Sequence, residues 1–390
     1  MILPMLRLPL VALTLGVVTV EMREAWSSHS PPPVFDARRS DRSVTEDTIR
    51  LAIVGDLMCH SSQFNEARTA TGYDFRYAFA PVRRYLVEAD LAIGNLETVT
   101  AGEAERFTGY PAFNTPVEYL DALKDAGFDV LTTANNHSLD RQFLGVERTI
   151  NALDARGLRH TGSARTQSER DRSLIVSVKG LQLGVLAYTY GTNGIPMPAG
   201  RPFAVNLIDT LAMARDVVRA RVEGAEAIAV FLHWGNEYER QPNTAQRRVA
   251  AFLARQGVDL ILGSHPHVLQ PAEWLGDATD RTFALYSLGN FFSAQRQPFT
   301  DSGVIMQLSL IRPRDGGRVR IGTTQFVPTY VVRRPRYRIV AVADALRAIE
   351  NGQSTNPSYV PGDAARLRAV WTETTSHLTN SAAGLVTPER

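Results

Sequence analysis

Cysteine is almost absent: Cys59 is the single one in 390 residues, so an intrachain disulfide scaffold is excluded. Net charge is nearly absent too. Forty-two Lys and Arg stand against forty Asp and Glu, a formal +2. That excludes the strongly basic pattern of a nucleic-acid binder or a polybasic membrane-surface protein. No glycine-rich loop of the phosphate-cradling kind is present, and no internal repeat. The uncharged stretch at 8–20 (LPLVALTLGVVTV) has thirteen residues, where a membrane-spanning helix needs about 20.

The same stretch has the length of a signal-peptide core and follows a single positive charge, Arg7. A small-x-small cleavage site is not evident, because Glu21, Met22 and Arg23 come directly after it. Residues 1–23 therefore read as a signal peptide or a membrane anchor, and an exported, extracytoplasmic protein is expected. Residues 24–47 are polar and carry Pro31-Pro32-Pro33, which suggests a disordered linker. Order is expected from Thr48. The main domain is expected over 48–340. A helical extension should follow over 341–390, with a loose tail from 379.

An apolar fraction of 44% and a charged fraction of 21% suit a soluble globular domain. Strand-like runs at 50–54, 89–93, 129–133, 227–232 and 258–262 alternate with helical spacing at 116–126, 142–156, 207–222 and 243–256. A hairpin is expected where 174–178 and 183–188 flank Lys179-Gly180, and later strands at 283–286, 304–310 and 319–326. Helix-separated strands followed by antiparallel ones predict an α/β fold, two packed sheets with outer helices.

The chemistry stands at the strand ends. Five apolar runs finish in Gly55-Asp56, Gly94-Asn95-Leu96-Glu97, Asn135-Asn136-His137, His233-Trp234-Gly235 and Gly263-Ser264-His265-Pro266-His267. Carboxyl ends of sheet strands are where α/β folds open a crevice. Asp56 and Glu97 can offer carboxylate oxygen, Asn136 a carbonyl oxygen, and His233, His265 and His267 imidazole nitrogen. This mixed set without thiolate suits one or two divalent ions, Mn, Fe or Zn. A shared carboxylate lets two cations sit about 3.5–4 Å apart, and an ion lowers the pKa of bound water from about 15.7 to roughly 7. The resulting hydroxide is a nucleophile available at neutral pH, and the ion would polarise a substrate oxygen. His137 is the candidate general acid, and Asp140, three residues on, the group that orients its ring. Arg240 is a candidate for holding an anionic substrate.

These segments, with Gly55-Asp56-Leu57-Met58, Ala134-Asn135-Asn136-His137-Ser138-Leu139-Asp140, His233-Trp234-Gly235-Asn236-Glu237-Tyr238 and Tyr286-Ser287-Leu288-Gly289-Asn290-Phe291, resemble the CapA family in order over about 50–330. That family is associated with bacterial capsule and poly-gamma-glutamate synthesis and is related to calcineurin-like metallophosphoesterases. The resemblance implies a four-layer α/β/β/α sandwich with a dinuclear site at its edge. By matching motif, Asp56 and His267 would hold the first ion. Glu97 would bridge. Asn136, His233 and His265 would hold the second ion. Asn290, in the Leu-Gly-Asn-Phe turn, matches no superfamily role and is expected only to line the pocket. One position departs: the superfamily's Asp-x-His has Met58 as its third residue, a poor ligand for a hard ion, with His60 nearby. Two functions follow as expectations. One is a metal-dependent hydrolase acting on poly-gamma-glutamate, another anionic polymer or a phosphoester. The other is a non-catalytic metal-binding subunit that holds or exports the polymer within a membrane synthesis complex. A nucleotide or sugar phosphatase sharing only the motifs is a third.

Overall fold

The computed structural model describes residues 46–277, 281–382 and 384–387. The expected signal or anchor at 1–23 lies outside the described residues, as does the linker up to 45. Glu46 and Asp47 already belong to the first strand, two residues before the expected start at Thr48.

The chain opens with β1 (Glu46–Leu57). Helix α1 (Ser61–Glu66), a small ribbon of β2 (Arg68–Thr69) and β3 (Gly72–Tyr73), and helices α2 (Arg76–Phe79) and α3 (Arg83–Val87) lead to β4 (Leu91–Leu96). Then come α4 (Glu118–Ala126), β5 (Val130–Thr132), α5 (Gln142–Asp154) and β6 (Arg159–Thr161). After α6 (Gln167–Arg170), the hairpin of β7 (Leu174–Val178) and β8 (Leu181–Thr189) starts a second run. It continues with α7 (Thr210–Val222), β9 (Ala227–His233), α8 (Thr244–Arg255), β10 (Leu260–Ser264), β11 (Ala272–Gly276) and β12 (Arg281–Leu285). The chain returns to the first sheet with β13 (Asn290–Phe292), β14 (Ser302–Pro313), β15 (Arg320–Val332) and β16 (Arg338–Ala341). It ends with α9 (Val342–Glu350), α10 (Ala364–Thr379) and β17 (Leu385–Val386).

Two sheets result. The first runs β16-β15-β14-β1-β4-β5-β6, with β13 also on β1 and β17 on β15; the second runs β11-β12-β10-β9-β8-β7. Residues of alternate parity on β1 explain the layering. Ile49, Leu51 and Ile53 face a core shared with Val185, Ala229, Phe231, Leu260, Leu262 and Leu285 of the second sheet. Ala52 and Val54 face outward, onto Phe79, Leu86, Leu120 and Leu123 of α2, α3 and α4. The second sheet does the same in mirror order: Ile228, Val230 and Leu232 pack outward against Met213 and Val217 of α7 and Ala250 and Leu253 of α8. Strands buried on both faces read as continuous apolar runs, which is what 51–54 and 227–232 are. Each fully buried Leu, Ile or Val contributes about 1.5–3 kcal/mol. The product is an α/β/β/α sandwich in four layers.

Caps set the helix ends. Asp209 accepts from the Ala212 N–H at the start of α7. Asn243 and Gln246 form a reciprocal capping box at the start of α8. The strand expected at 258–262 is shifted: β10 runs from Leu260 to Ser264. The reason is Asp259, whose carboxylate accepts from the Ile228 N–H (2.8 Å) and from Arg221 (2.9 Å), holding the preceding turn. The tail expected to be loose is partly built in. Leu385 and Val386 pair with Thr324 and Gln325, because Leu378, Ala382 and Leu385 bury their side chains in the core between the sheets. Among the described residues no helix is long and apolar enough to cross a membrane.

Candidate metal centre

Parallel register aligns the strand ends. On the first sheet Asp56 stands opposite Asn95 of β4 and Asn290 of β13. On the second, His233 stands between Thr189 of β8 and Ser264 of β10. The two sets meet at one rim. Asp56, Glu97, Asn136, His233, His265 and His267 are all buried there, none more than 4% exposed.

The polar groups interlock. Asn95 Nδ2 donates to Asp56 Oδ1 (2.8 Å) and lies 3.3 Å from His233 Nδ1, linking the two sheets. His267 Nδ1 donates to Asp56 Oδ2 (3.0 Å) and to Asn290 Oδ1 (3.1 Å). In a neutral imidazole the other nitrogen, Nε2, then keeps the lone pair. His233 Nε2 is 2.9 Å from Asn136 Oδ1. Glu97 Oε1 lies 3.6 Å from His233 Nε2 and 3.7 Å from His267 Nε2. Two donor groups emerge, Asp56–Glu97–His267 and Glu97–His233–His265, with the ligand atoms of each within 4.8 Å of one another. Glu97 is common to both.

Glu97 shows what the cluster is suited for. It is fully buried and neither carboxylate oxygen has a hydrogen-bond partner; His265 Nδ1 is likewise buried and unpartnered. Burial, then the Asp56 charge, pushes the Glu97 carboxyl well above its ordinary range. A buried carboxyl left without partners costs free energy, and a cation between it and the histidines removes that cost. The His233 and His265 imidazoles are held in the neutral, ligand form. Burial, then the neighbouring His265, keeps His233 well below the usual histidine range. Burial, then His267, brings His265 down to about 3. No thiolate is on offer, since burial pushes the Cys59 thiol up. Carboxylate oxygen and neutral imidazole nitrogen fit a divalent ion of the Mn, Fe or Zn kind.

The backbone is bent to present these groups. His265 and His267 adopt φ of 93° and 59°, left-handed values that cost a non-glycine residue on the order of 1–3 kcal/mol. Gly263 lets the loop form, because a Cβ there would lie 1.8 Å from the Tyr286 carbonyl oxygen.

Residues 50–295 match the family described as bacterial capsule synthesis protein PGA_cap. The chain belongs to this family. It is 29% identical over 322 residues to capsule biosynthesis protein CapA of Bacillus anthracis, covering 80% of this chain and 72% of that protein. To PGA biosynthesis protein CapA of Bacillus subtilis it is 27% identical over 280 residues, covering 69% and 70%. Among solved structures it is similar to the NAD nucleotidase of Haemophilus influenzae (TM-score 0.46, 11% identity, 85% of this chain and 68% of that one). It is also similar to the calcineurin-like phosphoesterase YfkN of Bacillus subtilis (TM-score 0.43, 12% identity, 81% and 99%). At these scores no activity or ligand carries over from either structure.

In this PGA_cap chain His137 and Asp140 lie beside the cluster. Asp140 Oδ2 accepts from His137 Nδ1 (2.7 Å) and from the Phe113 N–H (2.6 Å), and the Phe113 ring meets the imidazole edge-on at 4.7 Å. Asn290, expected to line the pocket, is 1% exposed. It donates to Gln295 and to the Thr300 carbonyl (both 2.9 Å) while accepting from His267. It sits behind His267 and fixes its ring. Arg240 is not brought to the cluster. Its guanidinium lies over the Phe299 ring at 4.3 Å, and its charge acts on His377 of α10. Closeness in sequence to His233 does not by itself set where the side chain goes.

Met58 is buried, and its sulfur accepts from Ser293 Oγ (3.6 Å). His60 is also spoken for. Its Nδ1 accepts from the Ala294 N–H (3.3 Å) at the start of α1, and burial brings its pKa down to about 4. Sequence reasoning gave no role to Asn95, Ser264 or Glu237. Ser264 Oγ lies 3.0 Å from His233 Nδ1. Glu237 joins His265 and His267 in a third donor group. All three residues stood in the quoted segments, but an Asn, a Ser and an exposed Glu carry no metal signal alone.

Proposed function

We propose that this chain is a metal-dependent hydrolase of capsule or poly-gamma-glutamate metabolism, cleaving a phosphoester or amide bond in an anionic substrate. The supporting observation is Glu97, a fully buried carboxylate with both oxygens unpartnered, between Asp56, His233, His265 and His267. In this reading Asp56, Glu97 and His267 hold one divalent ion, and Glu97, Asn136, His233 and His265 a second. The bound ions supply Lewis acidity and an activated water at neutral pH.

The chain's own groups do the rest. Asp140 accepts only, so His137 Nδ1 carries the hydrogen of their 2.7 Å bond. That leaves His137 Nε2 as the atom that takes up a proton and delivers it to the leaving oxygen or nitrogen. The Asp140 carboxylate stabilises the imidazolium, and Phe113 holds the ring against rotation. Asn290 and Asp56 together fix His267. Asn95 ties Asp56 to His233, so the two sheets cannot slip at the rim without breaking a buried bond. The reading places the protein outside the cytoplasm, carried there by residues 1–23, next to the enzymes that make the polymer.

The test is turnover by purified protein with Mn2+ on p-nitrophenyl phosphate esters and on poly-gamma-glutamate. Activity that is lost in His137→Ala with metal retained supports the hydrolase. Tight polymer binding with no turnover of either substrate sinks it and leaves the polymer-holding subunit.

A further inference from the structure

Building on that metal reading, we propose that Glu237 is a metal ligand that approaches from solvent and supplies the donor missing at Met58.

Four observations support it. Met58 occupies the third position of the first motif, and its thioether is engaged with Ser293. The first donor group therefore stops at Asp56, Glu97 and His267, one short of a closed tetrahedral set. Second, Glu237 converges on the same nitrogen as Glu97. His267 Nε2 lies 3.7 Å from Glu97 Oε1 and 4.0 Å from Glu237 Oε1. Both separations exceed a hydrogen bond. Two ligands each about 2.1 Å from one ion sit roughly 3–3.5 Å apart, and Glu237 already stands with His265 and His267 within 4.8 Å, so an inward movement of this exposed side chain would bring it to an ion on His267. Third, the buried Nδ1 of His265, a member of the Glu237 group, has no partner. Among the described ion pairs Glu237 meets His267 and no Lys or Arg, and its carboxylate also meets the Tyr238 hydroxyl.

The fourth observation is the loop itself. Gly235 has φ 88°, and a Cβ there would lie 2.7 Å from the Gln246 side chain. Tyr238 is also left-handed, φ 65°. Its N–H donates to the Pro266 carbonyl (2.8 Å), between the two histidines. The Glu237 backbone is thus tied to the loop whose imidazoles it faces. Glu97 approaches His267 from the protein interior, 0% exposed, and Glu237 from the open side, 41% exposed. A ligand on the open side is one that an incoming anionic oxygen displaces, which suits a phosphate or carboxylate-rich substrate.

The experiment measures metal per chain by elemental analysis and affinity by calorimetric titration with Mn2+ alone. Wild type, Glu237→Gln and the neighbouring control Glu239→Gln are compared. Glu237→Gln is expected to lose one ion per chain, or to weaken one site by about tenfold or more, the least expected when even an outer partner of a ligand costs that much. Glu239→Gln should match wild type. Equal stoichiometry and affinity in Glu237→Gln and wild type would overturn the assignment while leaving the metal centre standing. A wild type that takes up no divalent ion would overturn both. The side chain is exposed, and an unchanged near-ultraviolet spectrum verifies folding.

Discussion

Replacing Glu97 by Gln should raise stability when metal is removed and lower it when metal is present. Glu97 is fully buried and both oxygens lack partners. Such a group costs about 1–3 kcal/mol, more when charged. An amide of the same shape never carries the charge that burial and Asp56 oppose. It also brings an N–H that can donate to the Nε2 lone pair of His267, which stands 3.7 Å from the present oxygen. In chelator, Glu97→Gln should therefore be more stable than wild type by about 1–3 kcal/mol. With Mn2+ at 100 times its dissociation constant, wild type gains about 2.7 kcal/mol per site. The variant, having lost the carboxylate common to both donor groups, gains little. The order of stabilities then reverses. Urea denaturation in chelator and in Mn2+, read by tryptophan fluorescence, gives both numbers; Trp234, next to His233 and 2% exposed, is a local reporter. A variant less stable than wild type in chelator, or one stabilised by Mn2+ as much as wild type, would refute the reasoning.

Three further outcomes are expected. His137→Ala should lower kcat by about 10² to 10⁴ with metal per chain unchanged, and Asp140→Asn by about tenfold to a hundredfold, both measured on a p-nitrophenyl phosphate ester. Leu260→Ala, at a fully buried position between the sheets, should cost about 2–5 kcal/mol in a denaturant titration. Gly263→Ala places a methyl 1.8 Å from the Tyr286 carbonyl oxygen; it should displace the His265–His267 loop and cut metal per chain, and a variant that keeps full metal content would show that the loop has slack there.

The alternation of apolar runs and helical spacing was enough to place the central strands and the long helices. The strand ends were enough to name Asp56, Glu97, Asn136, His233, His265 and His267. Both are local signals. A strand buried on both faces must be apolar throughout, and a polar residue at its end stands out. The short pieces were not legible. β6 has three residues, β13 three and β17 two, and each exists because a neighbouring strand offers it hydrogen bonds. Arg240 and Asn290 show the other limit. Both are polar and near ligand segments, yet one leaves for Phe299 and the other turns inward to hold His267.

What the chain's sequence determined unaided was the family, the layered α/β plan and the set of side chains able to hold a metal, because periodicity and residue chemistry are written position by position. The tertiary structure decided which of those groups stand close enough to hold an ion together, that Glu97 belongs to two donor groups, and that Glu237 faces His267 while Met58 turns to Ser293. Those are distances between residues far apart along the chain, set by sheet register and by two left-handed histidines, and no local pattern encodes them.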